Sequence, residues 1–255
     1  MKVNLKKKVM LVLLAGGMLC ANSALADDPS IAWYGKADGS SWGATEYPSG
    51  TPVVPCIGNG TPVTDSCPTG AYLTLDGTEM GFASVTLFAA GYGYTAGTGT
   101  TVSDNTLIIM GGDFTYKTPV AAFLEGEAGD SAVQNTLIIK EGTFYGAGAV
   151  MGGSNTDGVF KGNVLRIEGG TFDGGYYVGA RASSQIGGYE AGDGNIANIS
   201  GGVFTGVGVV GGWSLGNDAI GNEVIISGGE FINIPSDCMI IGGLSSSGDS
   251  INNKL

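Results

Sequence analysis

The sequence NTLIIMGGDF at residues 105–114 decides the fold, because four later segments repeat its pattern. Each copy has an Asn, an aliphatic residue two positions later, an Ile two positions after that, a Gly at the eighth position and a Phe at the tenth. The other copies are NTLIIKEGTF (135–144), NVLRIEGGTF (163–172), NIANISGGVF (195–204) and NEVIISGGEF (222–231). Their spacing of about 30 residues is a period typical of repeat proteins.

A second shared element follows each of the last four copies. It is a short apolar stretch that ends in a small residue: VMGG (150–153), YVGA (177–180), VVGG (209–212) and IIGG (240–243). A polar loop with an Asp then leads to the next Asn. Short apolar runs broken by Gly favour strands over helices, so each repeat holds about three short extended pieces. The pattern predicts an all-β parallel β-helix, or β-solenoid, with coils of about 30 residues.

The two-residue periodicity of a strand places the Asn and the two aliphatic positions of each copy on one face. Stacked coils would bring like residues to about 4.8 Å from one another, so an Asn could bond the Asn of the next coil. We therefore predict a structural ladder of Asn105, Asn135, Asn163, Asn195 and Asn222, and one of Phe114, Phe144, Phe172, Phe204 and Phe231. A propeller blade would need about 40–45 residues, and the fixed Leu pattern of leucine-rich repeats is missing.

Residues 1–26 have the features of a secretory signal peptide. A basic start is followed by an apolar run at 9–21 and by the small-residue pattern Ala24-Leu25-Ala26. Cleavage would remove four of the eleven basic residues and none of the 23 acidic ones, which changes the net charge from −12 to −16. No second apolar run is long enough to span a membrane. We expect a secreted protein without a membrane span in its mature part.

Three segments are predicted: the signal peptide (1–26), an N-terminal cap (27–70) and the β-helix repeats (71–255). The cap lacks the repeat, and a first coil needs its edge covered. Cys56 and Cys67 flank a ten-residue loop, so we predict a disulfide between them in an oxidising compartment. Cys238 has no evident partner and is predicted to act as a small hydrophobic residue.

The repeat motif, with its GG element, resembles the passenger repeats of bacterial autotransporter adhesins over about residues 71–255. The resemblance implies a right-handed parallel β-helix displayed outside a Gram-negative cell, for adhesion or aggregation. Such passengers usually continue into an outer-membrane barrel, which this sequence lacks. Asn253 stands one repeat interval after Asn222, so we expect the last repeat to be incomplete. The strand at 224–226 would then expose an unpaired edge and favour self-association.

Composition excludes several kinds of chemistry. The chain has no His, which rules out a Ser-His-Asp triad and a His-ligated metal, and its negative charge argues against binding nucleic acid. Pectin-cleaving hydrolases, the main enzyme alternative, share an Asn-Thr-Asp motif, matched here by Asn155-Thr156-Asp157, and an Asp-Asp pair, found here only as Asp27-Asp28 at the predicted cleavage site. Their His motif is absent. We expect no catalytic residue, no cofactor and no metal. The Asp-containing loops are predicted to be solvated turns, with calcium binding as the alternative.

Two functions remain open. The first is a surface-displayed adhesin that binds a protein or glycan of a host or bacterial surface. The alternative is an extracellular polysaccharide-binding or polysaccharide-degrading β-helix protein. Aromatic residues outside the motif could stack on sugars or cover the coil edges, and the sequence favours neither; they are Tyr92, Tyr94, Tyr116, Tyr145, Tyr176, Tyr189 and Trp213.

Overall fold

The structure is a computed structural model, and its described residues form strands and turns without any helix. Towards the N-terminus it describes the strands at 31–35, 42–44, 56–58, 72–76 and 87–94 by their backbone. The later described residues are 101–116, 118–125, 130–146, 149–154, 158–182, 186–187, 194–236 and 238–255.

Four sheets run along the molecule. Sheet 1 contains β1 (Ile31–Gly35), β2 (Trp42–Ala44), β4 (Tyr72–Asp76), β7 (Thr106–Gly111), β10 (Thr136–Ile139), β14 (Val164–Ile167), β18 (Ile196–Ile199) and β22 (Glu223–Ile226). Sheet 2 contains β11 (Thr143–Tyr145), β15 (Thr171–Asp173), β19 (Val203–Thr205) and β23 (Glu230–Ile232).

The other two sheets complete each coil. Sheet 3 contains β3 (Cys56–Gly58), β5 (Leu87–Tyr94), β8 (Thr118–Glu125), β12 (Ala149–Ser154), β16 (Tyr176–Ala182), β20 (Gly208–Ser214) and β24 (Ile240–Ser245). Sheet 4 contains β6 (Thr101–Ser103), β9 (Asp130–Val133), β13 (Gly158–Lys161), β17 (Ile186–Gly187), β21 (Ala219–Ile220) and β25 (Ser250–Ile251).

The chain visits sheets 1, 2, 3 and 4 in turn, and each strand pairs in parallel with its counterpart in the next coil. Coils β10–β13, β14–β17, β18–β21 and β22–β25 contain all four strands. The coils β4–β6 and β7–β9 contribute to sheets 1, 3 and 4, and a bridge from Asp113 to Thr143 extends sheet 2. The predicted parallel β-solenoid, with one coil for each copy of the repeat, is confirmed. The expectation of three extended pieces per repeat is wrong, because sheet 4 adds a fourth.

The repeat motif sets the register between coils. In sheet 1, Leu107 pairs with Leu137, Leu137 with Leu165 and Leu165 with Ala197. In sheet 2, Phe144, Phe172, Phe204 and Phe231 pair in the same way. The Gly at the eighth motif position has a φ of 93–135° in all five copies, a range that residues with a side chain rarely adopt. This Gly therefore forms the corner between sheets 1 and 2.

The interior of the solenoid is apolar and closed to solvent. Side chains from sheets 1, 2 and 3 form its main cluster, with exposures of 0% or 1%. The outer face of sheet 1 departs from strict alternation, because Ile108 and Ile138 point away from this cluster and are still buried. Position 166 follows in the same column and is an exposed Arg. The residue types on the outer face of sheet 1 therefore differ from coil to coil, while those on the inner face stay aliphatic.

Antiparallel strands stand at the N-terminal end of the solenoid. Strand β1 pairs in parallel with β4, and β2 pairs antiparallel with β1. In sheet 3, β3 pairs antiparallel with β5. The signal peptide, Cys67 and the side chain of Cys56 lie outside the described residues, so the disulfide remains a prediction. Among the residues that the structure describes, no helix is long and apolar enough to cross a bilayer.

Candidate functional site

The five motif asparagines lie in one buried column, each fully shielded from solvent. The side-chain Nδ2 of each one donates to the Oδ1 of the next. The distances are 2.8 Å from Asn105 to Asn135 and 2.9 Å from Asn135 to Asn163, from Asn163 to Asn195 and from Asn195 to Asn222. The same oxygens also accept the backbone N–H of the preceding Asn at 2.9–3.1 Å.

The ladder also joins sheet 4 to sheet 1. Nδ2 of Asn135 donates to the carbonyl of Val102 at 3.0 Å, and Nδ2 of Asn163 donates to the carbonyl of Ala132 at 2.9 Å. Asn195 makes the equivalent bond to Phe160 at 3.0 Å. Both amide protons and the amide oxygen of these three residues thus have partners, and a buried amide would be costly without them. The corner between sheets 4 and 1 depends on this bonding.

The motif phenylalanines form a second column inside sheet 2. Neighbouring rings are nearly parallel, with centroids 4.6–4.9 Å apart from Phe114 through to Phe231. The buried ring of Tyr177 meets Phe172 edge-on at 5.1 Å. Burial raises the pKa of the Tyr177 hydroxyl well above its ordinary value, and the nearby Asp173 carboxylate raises it further. The column is a packed core element.

The last residues of the chain continue both the ladder and sheet 1. Nδ2 of Asn222 donates to Oδ1 of Asn253 at 3.1 Å, and Nδ2 of Asn253 donates to the carbonyl of Ala219 at 2.8 Å. The carbonyl of Lys254 accepts the N–H of Val224 at 3.0 Å. The backbone of Lys254 forms a parallel β-bridge with Glu223. The expected unpaired edge at 224–226 is therefore paired at its first residue. The side chains of Ile225 and Ile226 remain 38% and 37% exposed.

The outer face of sheet 3 carries an aromatic cluster. Val178 and Val210 point out of the solenoid yet have no exposed surface, because Tyr176 and Trp213 pack over them. The rings of Tyr176 and Trp213 meet edge-on with centroids 5.0 Å apart. Gly208 allows this arrangement, since a Cβ there would lie 2.6 Å from the Tyr176 ring. We call Tyr176, Val178, Arg181, Val210 and Trp213 the outer cluster.

The two arginines of the chain stand in different surroundings. The Nε of Arg166 lies 2.7 Å from a Glu168 carboxylate oxygen, and Lys140 pairs with the same carboxylate from the neighbouring coil. The guanidinium of Arg181 instead lies over the Trp213 ring, with its carbon 4.8 Å from the ring centroid. No acid of the described residues lies within ion-pair distance of Arg181. Its charge thus lies on an aromatic ring, and the described part of the chain supplies no carboxylate to it.

A pair of exposed tyrosines marks another part of the surface. Tyr116 and Tyr145 come from adjacent coils, are 67% and 48% exposed and meet edge-on at 5.8 Å. The Tyr116 ring lies against Gly146, where a Cβ would approach it to 2.6 Å. Tyr189 and the side chains of Tyr92 and Tyr94 lie outside the described residues. The aromatic residues that sequence analysis grouped together therefore occupy at least two separate places.

The Asp-containing loops are described in part. Asp218 accepts the backbone N–H of Asp249 at 2.9 Å, a bond between equivalent turns of adjacent coils. Asp157 and Asp193 lie outside the described residues. Across the described part of the chain, no three His, Cys, Asp or Glu side chains are grouped closely enough to hold a metal ion. The Asp218 carboxylate thus accepts a hydrogen bond from the turn of the next coil.

The contact between Tyr176 and Trp213 was not predicted from the sequence. The two residues are farther apart along the chain than any two neighbouring copies of the motif. The ion pair between Arg166 and Glu168 could have been predicted from the sequence, because residues two apart share one face of a strand. Arg181 has no acid at that spacing.

Comparison with known proteins adds no relative: no family model, no curated protein and no solved structure matches this sequence.

Proposed function

We propose that this chain is an exported, non-catalytic β-solenoid whose outer surface mediates adhesion or self-association at a cell surface. One observation carries the proposal. In sheet 1, the inner column of side chains is aliphatic in every coil, whereas the adjacent outer column mixes aliphatic, charged and amide side chains. The inner column is Leu107, Leu137, Leu165, Ala197 and Val224, and the outer column is Ile108, Ile138, Arg166, Asn198 and Ile225. The repeat thus preserves a rigid scaffold and varies the surface that a partner would meet.

Several features support export. The basic and apolar start of the chain, with its small-residue pattern at 24–26, has the order of a signal peptide. A net charge of −12, which becomes −16 without residues 1–26, suits a protein that stays soluble outside the cell. The similarity to autotransporter passengers favours display on a Gram-negative cell. It also favours a right-handed coil, the usual hand of parallel crossovers.

The test of export uses the full chain expressed in a Gram-negative host. We expect the product to begin at Asp27 and to be reached by antibody or added protease on intact cells. A matched control carries Leu13→Arg and Leu14→Arg, which interrupt the apolar run and should keep residues 1–26 attached inside the cell. Wild-type protein found uncleaved in the cytoplasm would contradict the proposal.

Adhesion is tested on the purified protein. Beads coated with it should bind cells or one another more than beads coated with an acidic protein of similar charge. The absence of any excess binding over that control would contradict the adhesive function while leaving export intact.

A further inference from the structure

We infer that the outer cluster binds an acidic sugar of a surface polysaccharide, with the Arg181 guanidinium contacting a carboxylate and the rings of Tyr176 and Trp213 supporting the sugar. This inference rests on the proposed function, because a ligand outside the cell is needed.

Charge is the first feature of the outer cluster that points to an acidic ligand. Arg181 belongs to a strongly acidic chain with only eleven basic residues, yet no described acid pairs with it. The guanidinium of Arg166, in contrast, forms an ion pair with Glu168. A cation that lies on an aromatic ring keeps its N–H edge available for a planar anion, and a carboxylate matches that edge with two hydrogen bonds. Because the described residues supply no counter-charge to Arg181, we expect it on the ligand.

The two rings of the outer cluster form a fixed apolar surface. Tyr176 and Trp213 reach each other across the strand pair β16–β20 and cover Val178 and Val210. Fixed rings on a flat sheet lose little side-chain entropy when a ligand binds, since their positions are already set. The apolar faces of sugar rings pack on such aromatic surfaces. Leu244, next to Trp213 in the following coil, extends the apolar surface.

Hydrogen-bonding groups lie at the edge of the outer cluster. The Trp213 indole Nε1–H donates to Ser246 at 3.4 Å. Ser246 itself is exposed. Hydroxyl groups beside an aromatic platform provide partners for sugar hydroxyls. A neutral sugar would use only these groups and the rings, so the Arg181 charge selects for an acidic one.

Polygalacturonate, a uronic acid polymer, is the probe for this site. We expect the purified protein to bind it measurably, to bind neutral dextran much more weakly, and to lose affinity as sodium chloride is raised from about 50 to about 500 mM. Comparable binding to dextran would overturn the role given to Arg181. Comparable binding to a single-stranded oligothymidylate would overturn the claim that the ligand is a sugar, because it would show that the surface binds polyanions in general. No binding to polygalacturonate would overturn the inference outright.

Matched arginine variants locate the site. Arg181→Gln should weaken polygalacturonate binding about tenfold or more, the effect of losing a charged hydrogen bond. Arg166→Gln makes the same change in net charge on another sheet and should alter affinity by less than about twofold. Equal losses in the two variants would contradict the assignment. Thermal unfolding of both variants shows whether each remains folded.

A third variant separates charge from stacking. Arg181→Lys keeps the positive charge and loses the flat guanidinium, so its affinity should lie between those of the wild type and Arg181→Gln. Wild-type affinity in Arg181→Lys would contradict a two-bond contact with a carboxylate. Failure of polygalacturonate binding by a protein that still reaches the cell surface and adheres would leave the proposed function standing. Failure of export would contradict the proposed function instead.

Discussion

An asparagine amide has the bonding groups that the corner between sheets 4 and 1 requires. Its oxygen accepts both the backbone N–H and the side-chain Nδ2 of one neighbouring coil, as Asn163 does for Asn135 at 3.1 and 2.9 Å. Its own Nδ2 donates to Asn195 and to the carbonyl of Ala132. Aspartate would lack the donor, and an aliphatic residue would lack both. The chemistry of one side chain therefore explains why all five copies of the motif start with the same residue.

Substitution of Asn163 by Ala should lower the free energy of unfolding by at least about 3 kcal/mol, because each buried group left without a partner costs about 1–3 kcal/mol. Asn198→Ala removes the same amide from an outward position on β18 and should cost less than about 0.5 kcal/mol. Urea denaturation measures both values. Similar losses in the two variants would mean that the buried ladder contributes nothing specific.

The raised pKa of Tyr177 predicts how the free energy of unfolding changes at alkaline pH. Its raised pKa means that the folded protein keeps the hydroxyl proton where the unfolded chain, with a pKa near 10.0, releases it. Its contribution is full below pH 10 and is lost as pH rises further, because the unfolded state then binds fewer protons. Above pH 10 this group should lower the free energy of unfolding by about 1.4 kcal/mol per pH unit.

Tyr177→Phe should remove that part of the pH dependence, and unfolding between pH 9 and 11.5 measures it. Tyr145→Phe is the control, because Tyr145 is 48% exposed. The control should keep the wild-type slope. A wild-type slope in Tyr177→Phe would show that Tyr177 does not hold its proton in the folded state.

At the scale of strands, the sequence predicted sheets 1, 2 and 3 and missed sheet 4. The first three are visible because each coil repeats an Asn-aliphatic-Ile strand, a Phe strand and an apolar strand that ends in a small residue. Sheet 4 has strands as short as Ile186–Gly187, Ala219–Ile220 and Ser250–Ile251, which share no residue pattern. Strands this short cannot show a periodicity, so only pairing between coils reveals them.

The GG element also has a packing role that its sequence alone did not show. Gly179 lies where β16 approaches the opposite sheet, and a Cβ there would overlap the carbonyl oxygen of Gly211 and the backbone of Ile196. Gly211 is similarly close to Gly242 and to Glu223. These glycines let sheets 1 and 3 come close together beside the Asn ladder. Small residues at this point narrow the coil.

Gly179→Ala should therefore cost at least about 3 kcal/mol or prevent folding, because the overlap is with backbone that cannot move aside. Gly174→Ala adds the same methyl group at a turn with a φ of 70° and no atom within 4 Å. Only backbone strain opposes it, which we expect to cost about 1 kcal/mol. Thermal and urea unfolding compare the pair, and an equal effect would contradict the close approach of the sheets.

For the whole molecule, the repeat predicted the path of the chain but not its surface. Motif intervals fix which strands stack, so the register of Leu, Ile and Phe columns follows from alignment of the copies. The outer cluster depends on the distance between Tyr176 and Trp213 after coils of unequal length have stacked. That distance is a property of the folded array and has no local signal in the sequence.

The two ends of sheet 1 differ. At one end, β2 pairs antiparallel with β1, so the parallel stacking of strands does not continue past β1. Antiparallel or irregular edges are a common way to limit pairing between molecules. Strand β3 does the same for sheet 3. At the other end, Asn253 and Lys254 carry the parallel pattern forward.

In-register parallel stacking of the coils is tested most directly by cysteine cross-linking on sheet 2. Thr143 and Thr171 are exposed and pair directly, so their Cα atoms lie about 4.8 Å apart, within the disulfide range of about 4.4–6.8 Å. Val203 pairs with Thr171 and is one coil farther, about 9.6 Å from Thr143. Trypsin cleavage after Lys140, Lys161, Arg166 and Arg181 places these three positions in separate peptides.

The measurement is the amount of bridged peptide formed under mild oxidation in two double variants. Thr143→Cys with Thr171→Cys should form the bridge almost completely, whereas Thr143→Cys with Val203→Cys should form little. Equal bridging of both pairs, or no bridging of the adjacent pair in a folded protein, would contradict the stacked parallel solenoid.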